Sequence, residues 1–341
     1  MTPPLSAPCL RLPDAKGPEI AALCKDIKPE LDRVEEQLET WSRAANPLTA
    51  EVSRYVLWKK GKRLRPALVL LTARLFRAVD KEAVFLASLV ELIHTASLIH
   101  DDIVDKADLR RGMESVHARW GANVTVLLGD YLYIKSIGLS LESRHDRIVR
   151  ILADVSARMI QGELDEYARG SDLGLSEDAY LGIIESKTAV LFAACSRIGA
   201  VLGQASPGLE REAAGFGLNL GLCFQIVDDL LDFTGDERAL GKPVLSDLAE
   251  GRITLPLIHA LRTDGRPYRD RIAGLLRRRD ITVGERDELL GLLSAAGSLD
   301  YTMGKASGYA GESLEALGRF PDSPPRRALA ALVRFVLERK T

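Results

Sequence analysis

Two groups of three aspartates carry the plainest chemistry in this chain: Asp101, Asp102 and Asp105, then Asp228, Asp229 and Asp232. In each group the outer acids stand four residues apart, so on a helix they project from one face, a turn apart. Each group closes a strongly apolar segment, residues 90–105 and 224–232. Carboxylates there repel one another and face the negative pole of the helix dipole. A single acidic helix end is ordinarily solvated surface. Two such ends on apolar helices point instead to a cation. Oxygen ligands without Cys or His suit a hard ion, and Mg²⁺ uses one or two carboxylates together with substrate phosphates. Two such groups facing each other would clamp metal ions around a diphosphate.

The basic residues extend that reading. Lys62, Arg63 and Arg65 flank a turn, and Arg110 and Arg111 follow the first acidic group after a short loop. Guanidinium forks beyond a metal cluster fit a second anion held without metal. His94 lies seven residues before Asp101, two turns away on nearly the same face, and is read as an anion contact. A di-iron alternative rests on Glu91-x-x-His94 and Glu114-x-x-His117. It needs two more core glutamates, leaves both aspartate groups unexplained, and sets one pair just past Gly112.

These side chains need long helices to hold them. Between Pro66 and Pro207 there is no proline, and the segment is rich in Ala and Leu. The periodicity gives helices over about 18–45, 48–58, 67–78, 80–105, 122–142, 144–168, 176–203 and 209–232. A polar connection over 233–251 leads to further helices at about 254–263, 266–278, 282–295, 298–317 and 323–339. Thr282 with Glu285 forms a capping box. No sustained alternation marks a strand. The expected fold is all-α, a single-domain bundle of long antiparallel helices around a central apolar cavity over 18–341, after a loosely ordered lead-in at 1–17.

Composition narrows the classes. Apolar residues make up 46% of the chain and its formal charge is −2, which argues against a nucleic-acid binder held by bulk positive charge. Cys9, Cys24, Cys195 and Cys223 are scattered without zinc spacing, as expected of idle thiols in a reducing compartment. The proline-bearing N-terminus lacks a basic start and an apolar run, and no uninterrupted apolar stretch is read as reaching membrane-spanning length. A cytoplasmic protein with no membrane span is the expectation.

In combination the motifs resemble the trans-prenyltransferases, the all-α isoprenyl diphosphate synthases, over roughly residues 20–340. They are GKRLRP at 61–66, ELIHTASLIHDDIVD at 91–105, RRG at 110–112, GD at 129–130, SKT at 186–188, FQIVDDLLD at 224–232, GK at 241–242, and an Asp247 loop before TLP at 254–256. The resemblance implies that Asp101, Asp102, Asp105, Asp228, Asp229 and Asp232 hold Mg²⁺ on an allylic diphosphate. Arg110, Lys187 and Lys242 would contact that diphosphate. Lys62, Arg65, His94 and Arg111 would bind isopentenyl diphosphate. Thr188 and Gln225 would turn dipoles toward a carbocation. Arg252 stands where a lysine is usual, and Arg339-Lys340 resembles, loosely, the basic C-termini that close over the site in relatives.

The implied reaction is a head-to-tail 1′-4 condensation by ionisation, condensation and elimination. The leaving diphosphate is stabilised as its charge develops, and the apolar helices keep water from the cation. Ala96 and Ser97, five and four residues before Asp101, are small where shorter-chain relatives tend to carry an aromatic stop. With Leu152 as a candidate tunnel floor, they imply a product of C20 or longer, an octaprenyl-like long chain being favoured and a short-chain geranylgeranyl or farnesyl diphosphate synthase the alternative. A class I terpene cyclase would carry a different second metal motif. A non-catalytic subunit of a heteromeric synthase would have lost an acidic group. Relatives are commonly homodimers, and the same is expected here.

Overall fold

The computed structural model describes residues 25–43, 46–57, 61–78, 80–110, 113–143, 145–235, 244–263, 266–278 and 282–339. The lead-in, the first residues of the helix expected from Pro18, and Cys9 and Cys24 lie outside them.

Helix α1 (Lys28–Ser42) follows a 3-10 turn, Lys25–Ile27; α2 (Pro47–Leu57) and α3 (Leu64–Leu75) come next. Helix α4 (Lys81–Val104) carries the first acidic group at its end. Asp80 starts it by accepting the N–H groups of Glu82 and Ala83 at 2.9 and 3.1 Å. A cap of this kind is worth about 1 kcal/mol. Leu86, Leu89, Val90, Leu92, Ile93, Ala96 and Ile99 are all buried, so α4 has little polar face and runs through the core. Helices α5 (Val116–Ser140) and α3 pack along it.

Helices α6 (Asp146–Arg169), α7 (Glu177–Ile184) and α8 (Val190–Leu202) follow, α7 and α8 being joined by a π-helical turn, Glu185–Ala189. Helix α9 (Pro207–Thr234) carries the second acidic group and packs on α8 and on α14 (Ser298–Leu317). A short α10 (Ser246–Ala249) precedes α11 (Leu255–Arg262), α12 (Arg266–Arg278), α13 (Val283–Ala295), α14 and α15 (Pro324–Glu338). The bundle is all-α, as expected. Cys195 and Cys223 are free and buried.

Several expectations are corrected. Strands do occur: Leu109–Arg110 pairs antiparallel with Met113–Glu114, a hairpin too short to register as alternation. Helix α5 starts before residue 122, because Ser115 caps it through Ala118 N–H at 3.0 Å and the helix continues across a kink at Gly121, φ 81°. Helix α3 starts at Leu64, which puts Pro66 inside its first turn. The connection over 233–251 holds α10. Among the described residues three helices, Lys81–Val104, Glu177–Leu202 and Pro207–Thr234, are after all long and apolar enough to cross a membrane. In the fold most of each apolar stretch is buried against other helices.

Candidate active site

The C-terminal ends of α4 and α9 open into one cleft of about 880 Å³. Its lining includes Asp101 and Asp105 from α4 with its cap, and Asp228 and Asp229 from α9. It also includes Lys62, Arg65, His94, Arg110, Lys187, Thr188 and Gln225. The same cleft is lined by the apolar Leu98, Met159, Ile160, Leu164 and Phe224 and by Tyr133. Its wall is therefore of mixed charged and apolar character, with Ile160 and Leu164 at the exposed rim.

The acids are not equivalent. Asp105 accepts from Arg252 Nη1 at 2.6 Å, and Asp228 accepts from Arg339 Nη2 at 2.9 Å. The Tyr180 hydroxyl and Gln225 Nε2 donate to Asp229 at 2.6 and 2.7 Å. Burial pushes Asp101 up to about 7, with Glu163 and Asp105 adding repulsion against the pull of Lys187 and Arg110. Burial, and then the charge of Asp247, also raises Asp229 well above the carboxylate range, although Tyr180 and Gln225 oppose this.

Two acids depart from the expectation of three ligands per group. Asp102 is buried beside the cleft and accepts from Arg110 Nε. Asp232 is buried and accepts from Ser246 Oγ at 2.7 Å and the Asp247 N–H at 3.1 Å, so it anchors the loop after α9. Neither is among the residues lining the cleft. Asp102 is turned about 100° around α4 from Asp101, where Arg110 meets it, and Ser246 and the Asp247 N–H hold Asp232.

Lys187 and Thr188 sit on the π-turn, a local widening of the helix often found at functional sites. Gly162 of α6 and Gly221 of α9 let their helices close on this turn. A Cβ at Gly162 would lie 2.4 Å from Lys187 N, and one at Gly221 2.6 Å from Ala189 Cα. Lys187 Nζ bonds Glu166 at 2.5 Å and pairs with Glu163 at 2.8 Å. Burial alone would lower the lysine's pKa; Glu166, Asp101 and Glu163 outweigh it and hold the ammonium charged. Thr188 Oγ1 donates to Gln225 Oε1 at 2.9 Å. Both amide ends of Gln225 are thereby fixed.

Arg65 Nη1 lies 2.9 Å from His94 Nε2. Since a guanidinium only donates, that nitrogen accepts, and a neutral His94 carries its proton on Nδ1. Arg65 also lies over the Phe192 ring at 4.8 Å. Arg111 and Lys242 lie outside the described residues.

Glu163, Glu166, Tyr180, Asp247 and Arg339 lie in or against the cleft without having been among the candidate sites read from the motifs. Of these only Asp247 and Arg339 carried any sequence signal, from their places near the matched motifs. Of the chain-length candidates, Ser97 lines the cleft. Ala96 and Leu152 do not, and both are wholly buried in side-chain packing. Leu152 stands two turns from Met159 on the same face of α6.

The di-iron alternative fails on geometry, since Glu91 bonds Arg63 and Glu114 lies on the exposed hairpin. Among the described residues no three His, Cys, Asp or Glu side chains converge on one point as a ready-made metal cage. The donor set nevertheless fits Mg²⁺, which takes one or two carboxylates and fills its shell with water and phosphate oxygens. Crowded carboxylates whose pKa values are driven upward are what such an ion relieves.

A family model described as polyprenyl synthetase matches residues 46–293. The octaprenyl diphosphate synthase of Haemophilus influenzae is 34% identical over 314 residues, covering 91% of this chain and 94% of its own. The structure of a polyprenyl synthase from Caulobacter crescentus CB15, complexed with calcium and isoprenyl diphosphate, superimposes with a TM-score of 0.91 at 34% identity. That match covers 96% of this chain and all of the other. A decaprenyl diphosphate synthase structure from Rhodobacter capsulatus gives 0.89 at 33%, covering 94% and 99%.

Proposed function

The chain belongs to the polyprenyl synthetase family, and on that footing we propose that it is a long-chain polyprenyl diphosphate synthase. As a prenyltransferase it joins isopentenyl diphosphate to an allylic diphosphate and repeats the condensation to C20 or longer. The observation that carries this reading is the single cleft that gathers both acidic pairs, Lys187 and the Arg65–His94 pair with apolar side chains.

Asp101 and Asp105 on one side, with Asp228 and Asp229 on the other, would hold Mg²⁺, which when bound supplies positive charge to the departing diphosphate. Lys187 and Arg110 present fixed cations to the same leaving group. Lys62 and Arg65, from the turn that opens α3, and His94, two turns before Asp101 on α4, receive the diphosphate of isopentenyl diphosphate. Breaking the allylic C–O bond leaves a delocalised cation. Thr188 and Gln225, locked by their mutual hydrogen bond, set oxygen dipoles beside it. The double bond of isopentenyl diphosphate attacks the cation, and loss of a proton regenerates an allylic diphosphate one unit longer. Tyr133, Met159, Leu98 and Phe224 keep water from the cation and receive the tail.

We read the protein as a homodimer. Leu127, Ile134 and Leu141 recur every seven residues along and just past α5, each more than two-thirds exposed, and Tyr167 is exposed on the adjoining α6. Such a stripe fits a second copy of the chain.

The test is diphosphate release by purified protein with Mg²⁺, farnesyl diphosphate and isopentenyl diphosphate. Release that requires both organic substrates is expected. Release unchanged when isopentenyl diphosphate is omitted would identify a cyclase instead.

A further inference from the structure

Arg63 and its partner Glu91 line the same cleft as the neighbouring Lys62 and Arg65, yet the Arg63 guanidinium is held largely by protein. Its Nε and Nη2 bond the two carboxylate oxygens of Glu35 on α1 at 2.6 and 2.9 Å. Its Nη1 bonds Glu91 of α4 at 2.6 Å, and Nη2 also reaches the Leu57 carbonyl at the end of α2 at 3.2 Å. Four of its five N–H donors are thus spent on three helices. The side chain is 8% exposed, and Glu91 is 5% exposed. The backbone of Arg63 is left-handed, φ 48° and ψ 37°, at the cap of α3. A non-glycine residue holds that conformation only where its surroundings over-determine it.

The turn is thereby cross-linked to α4 twice. Arg63–Glu91 is the inner rung and Arg65–His94 the outer, with Glu91 and His94 one helical turn apart. Against the inner rung is a cavity of about 30 Å³, lined on its polar side by Arg63, Glu91, Thr95, Asp102 and Arg110 and otherwise by four apolar side chains. That is room for a bound water among polar groups. The inner rung therefore lies back to back with the Asp102–Arg110 pair behind the first acidic group.

We propose that Arg63, through Glu91, is a positioning residue for the isopentenyl diphosphate half of the site. It sets the left-handed turn that aims Lys62 and Arg65 into the cleft, without touching substrate itself. This rests on Lys62, Arg65 and His94 being the contacts for that diphosphate. The bidentate fork to Glu35 and the separate N–H to Glu91 are geometry that lysine cannot supply.

The experiment is steady-state kinetics with each substrate varied in turn, on Arg63→Lys and on the double variant Arg63→Met/Glu91→Met. The double change removes both members of the buried pair, and Glu35, which loses Arg63, is 34% exposed and can be solvated, so folding is expected to survive. Expected in both variants is a rise of about tenfold or more in KM for isopentenyl diphosphate, with KM for farnesyl diphosphate and kcat within about threefold of the unmodified protein. Unchanged KM for isopentenyl diphosphate would overturn the proposal, as would an equal rise in both KM values. No turnover by the unmodified protein would instead remove the functional reading beneath it.

Discussion

Arg252 donates from Nη1 to Asp105 Oδ1 at 2.6 Å, joining residues 147 positions apart in the cleft wall. Its Nη2 bonds Asp247 at 2.7 Å and also meets Glu250. One arginine thus gathers three carboxylates from two distant stretches of the chain. Burial opposes its charge, but Asp247 and Asp105 outweigh that and hold it protonated.

A metal ion taking Asp105 must compete with this arginine. Arg252→Met is therefore expected to lower the metal-free Tm by a few degrees. It is also expected to enlarge the rise in Tm that Mg²⁺ produces. Thermal unfolding across a Mg²⁺ titration checks both. A smaller Mg²⁺ response in the variant would show that Arg252 supports the ion rather than competing with it.

In the proposed synthase, product length is expected to depend on which face of α4 meets the cleft. Ser97 lines it, whereas Ala96 is wholly buried. Ser97→Phe is expected to shorten the product on extraction and chromatography. Ala96→Phe is expected to cost about 1–3 kcal/mol of stability by overpacking, seen as a lower Tm. Shortening by Ala96→Phe and not by Ser97→Phe would reverse this assignment.

The outcome for α4 shows what the sequence could and could not tell. Apolar spacing and the absence of proline made the long helices and both acidic ends legible, because those signals are local. The roles of Asp102 and Asp232 were not, since both follow from partners, Arg110 and Ser246, whose approach depends on loops. Tyr180 reaches Asp229 across 49 positions, a contact no spacing rule announces. The π-turn carrying Lys187 depends on Gly162 and Gly221 arriving from two other helices.

Acid stability should pass through Glu210, which is 7% exposed and bonds Arg197 Nε at 2.8 Å and Arg147 Nη2 at 2.6 and 2.9 Å. Burial would raise its pKa, but the hydrogen bonds from Arg197 and Arg147 outweigh this and hold it below the ordinary value. The unfolded chain, titrating near 4.3, then binds the proton more readily, so the stabilisation is complete above about pH 4.3 and fades as pH falls through the lower folded value. Glu210→Gln is expected to lower Tm at neutral pH, and the gap from the unmodified protein should narrow in acid below about pH 4. A gap independent of pH would assign the loss to packing alone.

The exposed stripe on α5 gives a separate test of assembly. Ile134→Arg, at a residue 74% exposed in the isolated chain, is expected to yield a monomer in sedimentation, and the unmodified protein is expected to sediment as a dimer. Identical sedimentation of the two would remove the stripe as the contact.

The most direct measurement is the size of the product. Purified protein is incubated with Mg²⁺, labelled isopentenyl diphosphate and separate allylic primers, and the extracted chains are dephosphorylated and separated by length. The expected result is labelled chains growing in five-carbon steps to C20 or longer, and none without a primer. No label incorporated with any primer, or chains that all stop at C15, would contradict a long-chain synthase.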